Sequence, residues 1–172
     1  MSERAAQTLD QRETVELLTR CWMTHDGMWF HQVLEECGPE VASRLNLGAI
    51  RGMVPIELKR LLKAWGRDSV DTHEDLQAFL EFSMELFIGD FFGANWDWHP
   101  DGNITVDIKR CFAHDGITAL GGIASYQCGI FERVLAWIAG LGLEFEISPA
   151  VEGCMMHREG RCRHVIRVNY GN

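Results

Sequence analysis

The chain lacks any apolar run approaching the ~20 residues needed to span a bilayer, and its first residues (MSERAAQTLDQRETVE) lack the basic-then-apolar order of a secretory signal. Both absences make a cytoplasmic protein with no membrane partner the expectation. Basic residues are also scarce, 16 Lys and Arg against 25 Asp and Glu, for a net charge of −9. A general nucleic-acid binder needs a basic face to neutralise phosphates, so that class is excluded. No phosphate loop, dinucleotide fingerprint, G-x-S-x-G elbow or H-E-x-x-H zinc motif occurs, and no internal repeat, linker or low-complexity stretch divides the chain. What remains is an ordinary globular composition, 47% hydrophobic and 24% charged over 172 residues. That is enough to build one domain around one core.

Hydrophobic periodicity divides residues 1–172 into two halves. After a polar start at 1–12, expected to be flexible, residues 14–90 read as helical. Val15, Leu18, Cys21, Trp22, Met28, Trp29, Val33 and Leu34 recur at three- and four-residue spacing until Gly38-Pro39 breaks the pattern. A short helix is expected around Val41–Leu47 and a third over Arg51–Trp65. A fourth is capped by Asp71 or Thr72 and carries Leu76, Phe79, Leu80 and Met84. Residues 91–172 then read as strand–strand–helix–strand–strand. The expected strands are Phe91–Trp98 and Ile104–Cys111, Leu143–Ser148, and a last pair at Val151–Met156 and Cys162–Val168. One mostly helical stretch, Asp115–Leu141, lies between the strand pairs, with Gly121-Gly122 marking a close packing point or a break. The predicted class is α+β, with N-terminal helices packed on a small antiparallel sheet.

Four of the six cysteines, Cys111, Cys128, Cys154 and Cys162, fall in the second half. In a reducing compartment they are thiols or metal ligands rather than disulfides. Cys154 and Cys162 flank the expected hairpin turn, Cys128 is expected near the middle of the preceding helix, and strand parity puts Cys162 and His164 on one face. Three thiolates suit the borderline-soft, tetrahedral Zn²⁺ and leave a fourth position open. Reduced core thiols are the alternative, because free cysteine is among the most buried residue types.

The spacing of Cys128, Cys154 and Cys162, the last two around a glycine-containing turn, resembles the 4-vinyl-reductase-like domain superfamily of small-molecule-binding α+β domains. The resemblance implies that these three cysteines hold zinc beneath a pocket for a small aromatic ligand. The glutamate that completes the site in that group's sensors is replaced here by Val151. Glu152, Cys111, His114 or His157 would then substitute, or the position is open to water or substrate.

In the first half, Trp22-Met23-Thr24-His25-Asp26-Gly27-Met28-Trp29-Phe30 resembles an uncharacterised bacterial W-x-x-H-D-G-x-W-F family, a domain of unknown function. His25 and Asp26 are candidate acid and base, or metal ligands together with Glu57. Gly27 weakens the helix by ~1 kcal/mol and marks a possible close approach. Trp22, Trp29, Glu57 and Arg60 are candidate ligand-binding residues, unless Glu57 merely bridges to Arg60 or Arg51. Cys111 and His114, with Asp115 beside them, form a second thiol–imidazole pair. The expected function is a zinc-containing binder of a small apolar or aromatic molecule. One alternative is a metal-assisted hydrolase or lyase in which His25, Asp26 or His114 moves protons. The other is a zinc-stapled dimeric scaffold, and a homodimer is compatible with all three.

Overall fold

A computed structural model describes residues 8–88 and 92–170. The first seven residues of the expected flexible start, and Phe91 of the first expected strand, lie outside the described residues. The architecture is α+β. Helices α1 (Gln11–Cys37), α2 (Pro39–Trp65) and α3 (His73–Ile88) precede β1 (Gly93–Trp98), β2 (Asn103–Arg110), α4 (Phe112–Ala119), α5 (Gly129–Gly140), β3 (Glu144–Ser148), α6 (Met155–Glu159) and β4 (Cys162–Asn169). The strands form one sheet in the order β1-β2-β4-β3, antiparallel throughout. Among the described residues no helix is long and apolar enough to cross a membrane.

Local chemistry accounts for the helix ends. Asp10 and Glu13 close a reciprocal capping box at the start of α1, each side chain accepting the other's backbone N–H at 2.8 Å. Gly38, at φ 82°, ends α1, and Pro39 opens α2, where its missing N–H costs nothing. Thr72 caps α3 by accepting the Asp75 N–H at 3.1 Å.

Three expectations need correction. The two short helices over Val41–Leu47 and Arg51–Trp65 are one 27-residue helix that runs through Gly48, Gly52 and Pro55. Burial at both ends of α2, of Ala42 and Ser43 and of Val54, Glu57, Leu58 and Leu61, outweighs the modest propensity penalties in the middle. The single long helix between strand pairs is two helices, α4 and α5, separated by a 3₁₀ turn at Ile123–Ser125. Gly122 in that break fits against α1 so closely that a Cβ there would stand 2.7 Å from the Leu34 side chain. Finally, Val151–Met156 is not a strand. Gly153 takes a left-handed conformation at φ 70°, and the chain enters the short helix α6 before Gly160 releases it into β4.

The main core is formed by α2, α3 and α5 with the inner face of the sheet. Leu76, Phe79, Ile104, Trp137, Ile138 and Ile166 are all but inaccessible there. α5 packs on α2 and β3 and reaches β4 through Phe131. Residues on β4 alternate strictly, Cys162, His164, Ile166 and Val168 inward and their neighbours outward.

Gly27 marks no close approach, since a Cβ there would meet nothing within 4 Å. Replacing it by alanine in the middle of α1 is therefore expected to stabilise the fold by about 0.5–1 kcal/mol, measured by urea denaturation.

Candidate functional site

The four C-terminal-half cysteines come together. Cys111, Cys128, Cys154 and Cys162 all line one cavity of about 20 Å³, walled also by Tyr126, His114 and His164. Each thiol arrives from a separate stretch of chain. Cys111 follows β2 and caps α4, Cys128 caps α5, Cys154 caps α6, and Cys162 opens β4 opposite Ile108 of β2. Cys128 is therefore at a helix start rather than mid-helix, and Cys154 is not strand-borne.

The three caps close no side-chain hydrogen bond of ordinary geometry. Burial pushes the thiols up, Cys128 to about 11 and Cys162 to about 12, and it raises Cys111 as well. Mutual repulsion among the thiolates adds to this. Opposing it, the amides of Ala113 and His114 favour the thiolate of Cys111, and those of Ile130 and Phe131 favour that of Cys128. At neutral pH Cys111, Cys128 and Cys162 are protonated thiols, and the amide dipoles facing Cys111 and Cys128 reward deprotonation.

The histidines at this wall differ. His114 is partly exposed and pairs with Asp115 at 2.9 Å. His164 is buried and its Nδ1 lies 2.8 Å from the Pro149 carbonyl, so Nδ1 carries the proton and Nε2 is left as an acceptor. Its ring packs on Phe131 at 4.3 Å. Burial lowers the His164 pKa below the ordinary histidine value, with the Pro149 contact opposing the shift. Above pH ~6.5 the ring is neutral folded or unfolded and adds no pH dependence. Below it the unfolded chain takes up a proton that the folded one refuses, so stability falls at up to ~1.4 kcal/mol per pH unit until the folded-state pKa is reached. Urea melts at pH 7.0 and 5.5 are expected to show this loss, and a smaller one in H164Q.

The sequence reading missed His164 and Tyr126 as site residues, although parity with Cys162 already placed His164 on the inward face. Tyr126 is buried, and its hydroxyl accepts the Gly129 N–H at 3.0 Å. Burial raises its pKa above the ordinary tyrosine value. Of the proposed substitutes for the missing glutamate, Cys111 and His114 line the cavity. Glu152 and His157 instead line an outer cleft of about 470 Å³ that meets the cavity at Cys154. Val151 packs against the apolar core. Among the described residues no three His, Cys, Asp or Glu side chains stand close enough, as placed, to hold a metal ion.

The N-terminal candidates do not join this site. His25 and Asp26 are exposed on α1 and line neither the cavity nor the cleft. Trp29 and Arg60 are exposed as well. Glu57 is buried and bridges neither Arg51 nor Arg60. Both of its oxygens accept from Arg133, and Oε2 also accepts the Trp137 indole N–H at 2.8 Å. Arg51 pairs with Glu132. The Arg133 guanidinium lies over Phe87, Trp137 and Trp22, at 4.5, 5.2 and 5.6 Å from the ring centroids. Trp22, half-exposed, and Glu57, buried, thus belong to one cluster around Arg133 that fastens α5 to α1, α2 and α3.

A larger groove of about 1070 Å³ opens between the start of α1, α3 and β1. Trp96 and Trp98 stack 6.4 Å apart along it, facing Phe82, Met84 and Phe87. Fold and site together define an α+β protein with four partly to fully buried cysteines lining one small cavity beside an open polar cleft. No family model, curated protein or solved structure matches the chain.

Proposed function

We propose that this chain is a zinc-containing protein that binds a small apolar or aromatic molecule. The observation that carries the proposal is the convergence of four cysteines, from four separate segments, on one cavity of about 20 Å³. Reduced core thiols have no need to gather, and gathering them raises the mutual repulsion of their thiolates. The donor set suits zinc: Cys128, Cys154 and Cys162 are the ligands that the sequence resemblance implies, and Cys111 is the fourth donor. Zinc when bound would supply either a structural cross-link or, with one position open, Lewis acidity. Binding requires the thiols to shed their protons, so affinity rises with pH. The helix-start amides at Cys111 and Cys128 reduce the cost of that deprotonation.

The groove lined by Trp96, Trp98, Phe82, Met84 and Phe87 supports the ligand class, offering flat apolar walls between the N-terminal helices and the sheet. A metal-assisted hydrolase or lyase is favoured by one separate observation. The polar cleft with Gln127, Glu152, His157 and Arg158 meets the thiol cavity at Cys154, the route by which a substrate would reach an open position.

Competition for zinc against a chromophoric chelator tests the reading. The wild-type chain is expected to take up one zinc, and C128S and C154S to bind it at least about 100-fold more weakly. Equal affinity in all three proteins rejects the site.

A further inference from the structure

The cavity at the four cysteines carries more sulfur than a zinc site uses. Met155 and Met156, the first residues of α6, line it as well, so six sulfur-bearing side chains wall a space of about 20 Å³. That is room for one ion. Its lining includes no carboxylate and no side-chain amide, and Tyr126, whose hydroxyl already accepts the Gly129 N–H, supplies the one side-chain oxygen. The two thioethers differ. Met155 accepts the Arg163 N–H at 3.4 Å, whereas the Met156 sulfur makes no hydrogen bond among the described residues. Both side chains are partly buried against the main core, a role that leucine would fill at the same volume. What leucine lacks is the soft, polarisable lone pair.

We infer that this cavity also takes Cu(I), a soft monovalent ion, and holds it more tightly than zinc, with the Met156 thioether among its donors. The inference rests on reading the cavity as a metal site, and it adds a second ion to that site. Donor type selects the ion first. Zinc draws on thiolate, imidazole and carboxylate, whereas thiolate together with thioether suits Cu(I). Coordination number selects it again. As placed, no three His, Cys, Asp or Glu side chains among the described residues stand close enough to hold an ion together. Zinc requires four donors to close into a tetrahedron from separate segments. Cu(I) is satisfied by a pair of thiolates and a thioether, which asks less movement of the chain. Charge acts in the same direction. Zinc with four thiolates leaves two net negative charges, and Cu(I) with a pair of thiolates and a neutral thioether leaves one. Among Ile108, Ile130 and Phe131 the smaller charge costs less to bury. Binding is ligand exchange without electron transfer: copper enters as Cu(I), and each cysteine that binds it releases one proton.

Anaerobic titration of the full chain with Cu(I), in competition with a chromophoric Cu(I) chelator, tests the inference beside the zinc titration. The wild-type chain is expected to take up one Cu(I). Added to the zinc-loaded chain, Cu(I) should release the zinc into a zinc-sensitive dye. M156L is expected to bind Cu(I) at least about 10-fold more weakly and zinc with unchanged affinity, since leucine keeps the volume and removes only the sulfur. Unchanged zinc affinity in M156L demonstrates an intact cavity, so the weaker Cu(I) binding is then the loss of a donor. C128S should weaken both ions. Zinc uptake without Cu(I) uptake, or equal Cu(I) affinity in the wild type and M156L, overturns the inference and leaves the zinc reading standing. Equal weakening of both ions in M156L makes Met156 a packing residue and overturns it too, as does Cu(I) affinity that C128S leaves intact. A chain that takes up neither ion overturns both readings.

Discussion

Replacing Glu57 by alanine is expected to cost about 3–5 kcal/mol of folding stability, because it leaves the Arg133 charge largely buried with no counter-charge. For a chain of this size that is a fall of roughly 6–20 °C in melting temperature. The Trp137 indole N–H loses its acceptor in the same step. Arg133 would keep its three aromatic faces, which attract a cation but do not neutralise it. Removing both charges should cost less than removing one. In a double-mutant cycle of E57L and R133M, the paired variant is expected to recover most of the loss, since apolar side chains can fill the space between α2 and α5. If E57A unfolds at nearly the wild-type urea concentration, the pair does not hold α5 in place. That bears on the thiol site, because Cys128 sits at the first turn of the same helix.

The second large effect is expected on metal removal. Zinc held at about 1,000 times its dissociation constant stabilises a folded chain by ~4 kcal/mol. Chelation of the zinc-loaded protein should therefore lower the melting temperature by roughly 8–16 °C. The folded apo form is expected to survive, because the main core of α2, α3, α5 and the sheet does not include the thiols of Cys111 and Cys154 among its fully buried members. In C154S, which binds zinc at least about 100-fold more weakly, the chelator should cause a much smaller shift. An equal shift in both proteins would mean that the chelator acts elsewhere.

Much of the fold was legible where one residue's covalent limits decide the outcome. Gly38-Pro39 ends one helix and starts the next whatever surrounds it, and the alternation on β4 fixes which residues face inward. Legibility failed where tertiary burial outweighs local preference. Gly48, Gly52 and Pro55 argue for a break in α2, but the apolar contacts on either side hold the helix together. Gly153 shows the opposite limit. Its positive φ turns an expected strand into a helix start, and nothing in the alternation of Val151–Met156 announces this.

The candidate site divides in the same way. Cysteine number and spacing pointed to Cys111, Cys128, Cys154 and Cys162, and all four meet at one cavity. That three of them are helix caps depends on where α4, α5 and α6 begin, which periodicity does not resolve to one residue. The W-x-x-H-D-G-x-W-F segment drew attention through its composition, yet His25 and Asp26 stand on the outer side of α1. Which side of a helix is buried is set by the neighbours it packs against, and Phe30 and Leu34 face them instead.

The most direct measurement is elemental analysis of untagged protein together with a count of reactive thiols. The account predicts about one zinc per chain, with Cys21 and Cys37 alkylated fast and the other four cysteines protected until a chelator is added. A metal-free protein whose four clustered thiols show the same slow alkylation with and without chelator would contradict it.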